Sequence, residues 1–85
     1  MKDPKAIYIG KVLKRLRTNH KLSQEELAFR ASLDRTSISL LERGLRTPTL
    51  DTIFKIASVY DMKGWKVVKE IEEYLAENID QQDNL

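Results

Sequence analysis

Apolar residues recur at three- and four-residue steps through most of this chain. Ile9, Val12, Leu13 and Leu16 set the first stripe, with Lys11, Lys14, Arg15 and Arg17 between them, and that spacing predicts an amphipathic helix. Asp3-Pro4 marks its start: an N-cap followed by proline at the first helical position, where the missing N–H costs nothing. The helix should run to Asn19 or His20. Ser23-Gln24-Glu25-Glu26 has the form of a capping box, with Leu22 and Leu27 placed as a hydrophobic staple, so a second helix is expected to about Ala31. Asp34 should cap a third, running from Arg35 and stopped by Gly44. Thr47-Pro48-Thr49 is a break, after which Thr49 caps a fourth helix whose buried face is Leu50, Ile53, Phe54, Ile56 and Ala57. A second break spans 61–64. Trp65, Val68, Ile71, Leu75 and Ile79 then lie near one stripe of a fifth helix, about 64–79, opposite Lys69, Glu70, Glu73 and Glu77. Residues 80–85 are expected to fray. With no sustained strand-like alternation, the pattern predicts an all-α, compact five-helix bundle with its core within 6–60.

Composition narrows this further. Eighty-five residues, 41% hydrophobic and 33% charged, allow one domain with a single small core. The absence of cysteine excludes a disulfide framework and a thiolate metal site. One histidine and no clustered carboxylates argue against a metal centre, and no cofactor is expected. No apolar run approaches the roughly 20 residues that span a bilayer, and the first residues lack the apolar stretch of a signal peptide; a cytoplasmic domain without membrane contact is expected. The net charge of +2 conceals a division. Residues 1–46 carry eleven Lys/Arg against five Asp/Glu, whereas residues 47–85 carry four against eight. A basic first half suits a polyanion.

The spacing of the second and third helices is the most informative feature. Two short helices joined by about three residues, with Leu27, Ala28, Leu33, Ile38 and Leu41 as their apolar positions, must cross steeply to share one core. That is helix-turn-helix geometry, whose second helix can enter the major groove of DNA. The positions that Leu33, Ile38 and Leu41 leave over are Arg35, Thr36, Ser39, Leu40 and Arg43, side chains that can bond base edges or touch a thymine methyl. Ser23 and Ser37 have no His–acid partner in prospect, so no nucleophilic centre can be assembled and an enzyme is not expected.

Ser23-Gln24-Glu25-Glu26-Leu27-Ala28, Ile38-Ser39, Glu42-Arg43-Gly44 and Pro48-Thr49-Leu50 together resemble the phage repressor/Cro (XRE) helix-turn-helix family, over roughly residues 7–60. Within it, Leu33-Asp34-Arg35-Thr36 looks most like the small controller proteins of restriction–modification systems. The resemblance implies a lambda repressor-like DNA-binding domain. It implies base contacts from Arg35, Thr36, Ser39 and Leu40, and phosphate contacts from Gln24, Ser37, Arg43 and Arg46. Arg17 and Glu42 match a partly buried salt bridge between the first and third helices. One departure is Ser32, where the family often has glycine at positive φ; a side chain there costs about 1 kcal/mol or more.

The stripe of Trp65, Val68, Ile71 and Leu75 is expected to form a homodimer interface, with part of it taken by the chain's own core. A two-fold dimer would set two copies of the third helix roughly 34 Å apart on a palindromic site. Duplex DNA, a second copy of the chain and RNA polymerase are the partners implied for a transcriptional regulator. Two other readings stay open: an antitoxin whose acidic half binds a basic toxin, and an interaction adaptor that keeps the fold without binding DNA.

Overall fold

A computed structural model describes residues 3–80, with the side chains of Ile79 and Asp80 excluded. The tail expected to fray therefore lies outside the described residues, apart from the backbone of Asp80. Five α-helices follow one another: α1 Pro4–Asn19, α2 Gln24–Ala31, α3 Arg35–Glu42, α4 Leu50–Val59 and α5 Gly64–Leu75. A π-helical turn, Ala76–Asp80, extends the last. No strand occurs among the described residues.

Helix starts follow the side-chain chemistry in three of four cases considered above. The Asp3 carboxylate accepts from the Lys5 backbone N–H at 3.0 Å. Ser23 and Glu26 complete the reciprocal capping box, both bonds at 3.0 Å, and Thr49 accepts from the Thr52 N–H at 3.1 Å. Asp34 is the exception. It precedes α3 with extended backbone angles but makes no side-chain bond to the helix.

The helix ends share one device. At the ends of α1, α2, α3 and α4 a residue turns into the left-handed region: Lys21 (φ 58°), Ser32 (56°), Gly44 (74°) and Asp61 (57°). In each case the next amide bonds back to a carbonyl five residues earlier: Leu22 to Arg17, Leu33 to Ala28, Leu45 to Leu40 and Met62 to Ala57. This Schellman closure satisfies carbonyls the helix leaves open and aims the following apolar side chain. Leu22, Leu33 and Met62 pack on the core; Leu45 remains exposed. Only the α3 closure uses glycine, and there a Cβ would also lie 2.7 Å from Ile7 Cα.

Val12, Leu13, Leu16, Leu27, Ile38, Leu41, Ile53, Ile56, Val67 and Ile71 form one buried cluster drawn from all five helices. Gly10 brings α1 close to the end of α3. A Cβ at that position would collide with the Leu41 carbonyl oxygen and sit 2.8 Å from that of Glu42. Helix α5 lies along α1, where Tyr8 and Tyr74 meet at 5.8 Å between ring centroids and Arg15 covers the Tyr74 ring.

Two expectations about helix faces are corrected. In α4, Ile53, Ile56 and Ala57 are buried, but Leu50 and Phe54 are 66% and 55% exposed, the Phe54 ring lying against Gly64. In α5 the expected single stripe divides. Ile71 is buried in the chain's own core together with Val67, and half-buried Leu75 packs on the same cluster. Trp65 and Val68 face outward. Val67 and Val68 are about 100° apart on a helix, so both continue an apolar period, and packing selects Val67 for the inside.

Candidate nucleic-acid interface

Ser32, Leu33 and Asp34 join α2 to α3. The left-handed Ser32 turns the chain, and Leu33 anchors the turn on the core. Ile38 and Leu41 then fix the inner face of α3. At about 100° per residue, Thr36, Ser39, Leu40 and Arg43 fall on the opposite side. Thr36 and Arg43 are exposed, and Ser39 and Leu40 are half-buried. Arg35, the first residue of α3, is exposed, and it has no ion pair among the described residues. Arg43 Nε donates weakly to the Ser39 carbonyl at 3.4 Å, leaving most of its guanidinium to solvent. Ser37 is half-buried, and Arg46 is exposed in the loop after α3. The arrangement offers a free guanidinium, hydroxyls and one apolar side chain along one helix, a mixture suited to base edges.

Behind this surface a polar cluster joins three helix ends. Arg17 Nε donates to Glu42 Oε2 at 2.6 Å and Nη2 donates to Oε1 at 2.9 Å, while Nη1 donates to the Leu22 carbonyl at 2.8 Å. The two side chains are 11% and 4% exposed. The fork geometry holds both ions with charge-assisted bonds, and the bond to Glu42 raises the Arg17 pKa above its ordinary value. Gln24, the first residue of α2, donates its Nε2 to Glu42 Oε1 at 3.0 Å. That bond joins residues 18 apart and has no local signal in the sequence.

Three features escape the sequence pattern. Tyr60 stacks on His20 with 4.2 Å between centroids. Its buried hydroxyl has no hydrogen-bond partner among the described residues, and burial pushes its pKa up to about 12. Phe29, on α2 beside Glu25 and Glu26, is 86% exposed. Among the described residues no group of three acidic or histidine side chains is placed to hold a metal, and no helix is long and apolar enough to cross a membrane.

The fold and this surface define a helix-turn-helix domain of the DNA-binding kind. Residues 13–64 match the helix-turn-helix family profile, and the chain belongs to the XRE-type helix-turn-helix family of transcriptional regulators. Among its relatives is the control protein C.BamHI of Bacillus amyloliquefaciens. It is 42% identical over 52 residues, which span 60% of this chain and 64% of that protein. The crystal structure of the restriction–modification controller C.AhdI from Aeromonas hydrophila is 39% identical. It covers 73% of this chain and 94% of its own, with a TM-score of 0.69. A tyrosine-to-phenylalanine mutant of C.Esp1396I, solved bound to its highest-affinity operator site, is 25% identical with a TM-score of 0.76, covering 86% and 96% of the two chains.

Proposed function

We propose that this chain is a sequence-specific DNA-binding regulator that acts as a homodimer on a palindromic operator, in the manner of an autoregulatory restriction–modification controller. The observation that carries this reading is the outer face of α3, where exposed Arg35, Thr36 and Arg43 and half-buried Ser39 lie beside the start of α2, and Arg35 has no ion pair among the described residues. Arg35 and Thr36 read base edges, with Ser39 and Leu40 further along the groove. Gln24, Ser37, Arg43 and Arg46 hold phosphates and set the register. The free N–H groups at the start of α2 favour an anion beside Gln24.

Trp65 and Val68 on α5, with Leu50 and Phe54 on α4, supply apolar surface for a second copy; Ile71 takes no part because it is already buried. Polymerase contact, where the operator permits it, falls to α2 or α3. Similarity to controllers, one of them solved on its operator, supports the choice of DNA over a toxin or an adaptor partner.

Selection of bound duplexes from a random pool, followed by fluorescence anisotropy on the recovered sequence, tests the reading. A two-fold symmetric consensus is expected, with affinity falling steeply with salt at a log–log slope of about −6 if each protomer neutralises three or four phosphates. Recovery of no consensus, with binding insensitive to salt, would refute it.

A further inference from the structure

From the polar cluster behind α3 we infer that Glu42 is a positioning residue for DNA binding: it orients the Gln24 amide toward the phosphate, besides tying helices together. This rests on the DNA-binding reading above. Glu42 is 4% exposed and anchored by two bonds from Arg17, so its Oε1 is a fixed point in the fold. A carboxylate in an ion pair only accepts hydrogen bonds. The Gln24 amide must therefore turn its nitrogen inward to meet Oε1 at 3.0 Å. Its second Nε2 hydrogen is then left for a partner outside the cluster.

A free glutamine side chain loses substantial rotamer entropy when it binds a ligand. Here the folded protein has already ordered it. The same residue begins α2, whose unbonded backbone N–H groups favour an anion nearby. The cluster thus prepares a donor at the place where the helix end already attracts a phosphate. Arg17 acts at one further remove by holding Glu42 through its fork and by bonding the Leu22 carbonyl just before the α2 cap.

The test combines a mutant cycle on the selected duplex with side-chain relaxation in the free protein. Arg17→Met with Glu42→Leu removes the pair without stranding one buried charge, a replacement that folded proteins commonly tolerate. In the wild-type background, Gln24→Ala should weaken operator binding by about tenfold or more, as loss of a bond to a charged acceptor does. In the Arg17→Met/Glu42→Leu background the same change should cost less than about threefold. An equal loss in both backgrounds would overturn the inference and leave Glu42 a tie between helices.

The relaxation measurement needs no variant, so it holds even if the double replacement fails to fold. The Gln24 side-chain amide should show an order parameter near that of rigid backbone, about 0.85. A value below about 0.6 would overturn the inference. If the wild-type chain selects no sequence at all, the DNA-binding reading itself fails, whatever the amide does.

Discussion

Three of the four left-handed helix closures carry side chains that this conformation penalises, and the cost can be recovered. Lys21, Ser32 and Asp61 have φ between 56° and 58°. Left-handed geometry costs an L-residue about 1–2 kcal/mol. Glycine removes that penalty but gives the unfolded chain more freedom, an offset of roughly 0.5–1 kcal/mol. Each glycine replacement should thus add about 0.5–1 kcal/mol at Ser32 and Lys21, whose side chains are exposed and form none of the hydrogen bonds or ion pairs described. Asp61→Gly should gain less, because aspartate tolerates this region better than most residues. In a domain of this size 1 kcal/mol moves Tm by about 4–8 °C. Ser32→Gly with Lys21→Gly should therefore raise it by roughly 5–15 °C. Gly44→Ala is the opposite case: it adds the penalty and places a methyl 2.7 Å from Ile7 Cα, so a loss of at least 2 kcal/mol or so is expected. Urea and thermal unfolding followed by circular dichroism measure all four. Neutral glycine variants together with a silent Gly44→Ala would refute the reasoning. Ser32→Gly should leave operator affinity unchanged, because the turn keeps its shape.

Other perturbations separate the remaining parts of the account. Glu42→Ala strands Arg17 at 11% side-chain exposure and should cost about 3–5 kcal/mol in urea unfolding; a loss under about 1 kcal/mol would mean that the pair contributes little. For the homodimer proposed above, wild type should sediment as a dimer and Trp65→Lys as a monomer of nearly unchanged Tm; a wild-type chain that stays monomeric at high micromolar concentration would remove the dimer from the account. Ile71→Ala should instead lower stability by about 2–5 kcal/mol, and an effect on assembly alone would place Ile71 at the interface after all. Tyr60 has its pKa raised from 10 to about 12, so its contribution to stability is complete below pH 10 and is lost as pH rises toward 12. Tyr60→Phe should flatten that alkaline loss and change stability at neutral pH by no more than about 1 kcal/mol, since the hydroxyl has no protein partner among the described residues. A steeper alkaline loss in the phenylalanine variant would contradict the assignment.

Helix positions were legible because their starts are written in short-range chemistry: the Ser23–Glu26 box, Asp3-Pro4 and Thr49 each act within three residues. The turn was legible through the apolar anchors Leu33 and Ile38. Faces were harder. Ile53-Phe54 and Val67-Val68 are adjacent apolar pairs, and periodicity alone cannot choose which member turns inward. Gly10 carried no visible meaning in the sequence, because its role depends on how closely α1 approaches Leu41 and Glu42. The exposed side of α3 could be read residue by residue from the pattern, whereas the bond from Gln24 to Glu42 depends on three helix ends converging in space.

The most direct test is to compare wild type and Arg35→Ala on the selected duplex and on random DNA of the same length, with every operator position varied in turn. The account predicts a loss of about 1–3 kcal/mol on the selected sequence, relaxed preference at one base pair in each half-site, and little change on random DNA. Equal losses on both duplexes, with the sequence preference intact, would show that α3 does not read bases through Arg35 and would contradict the central claim.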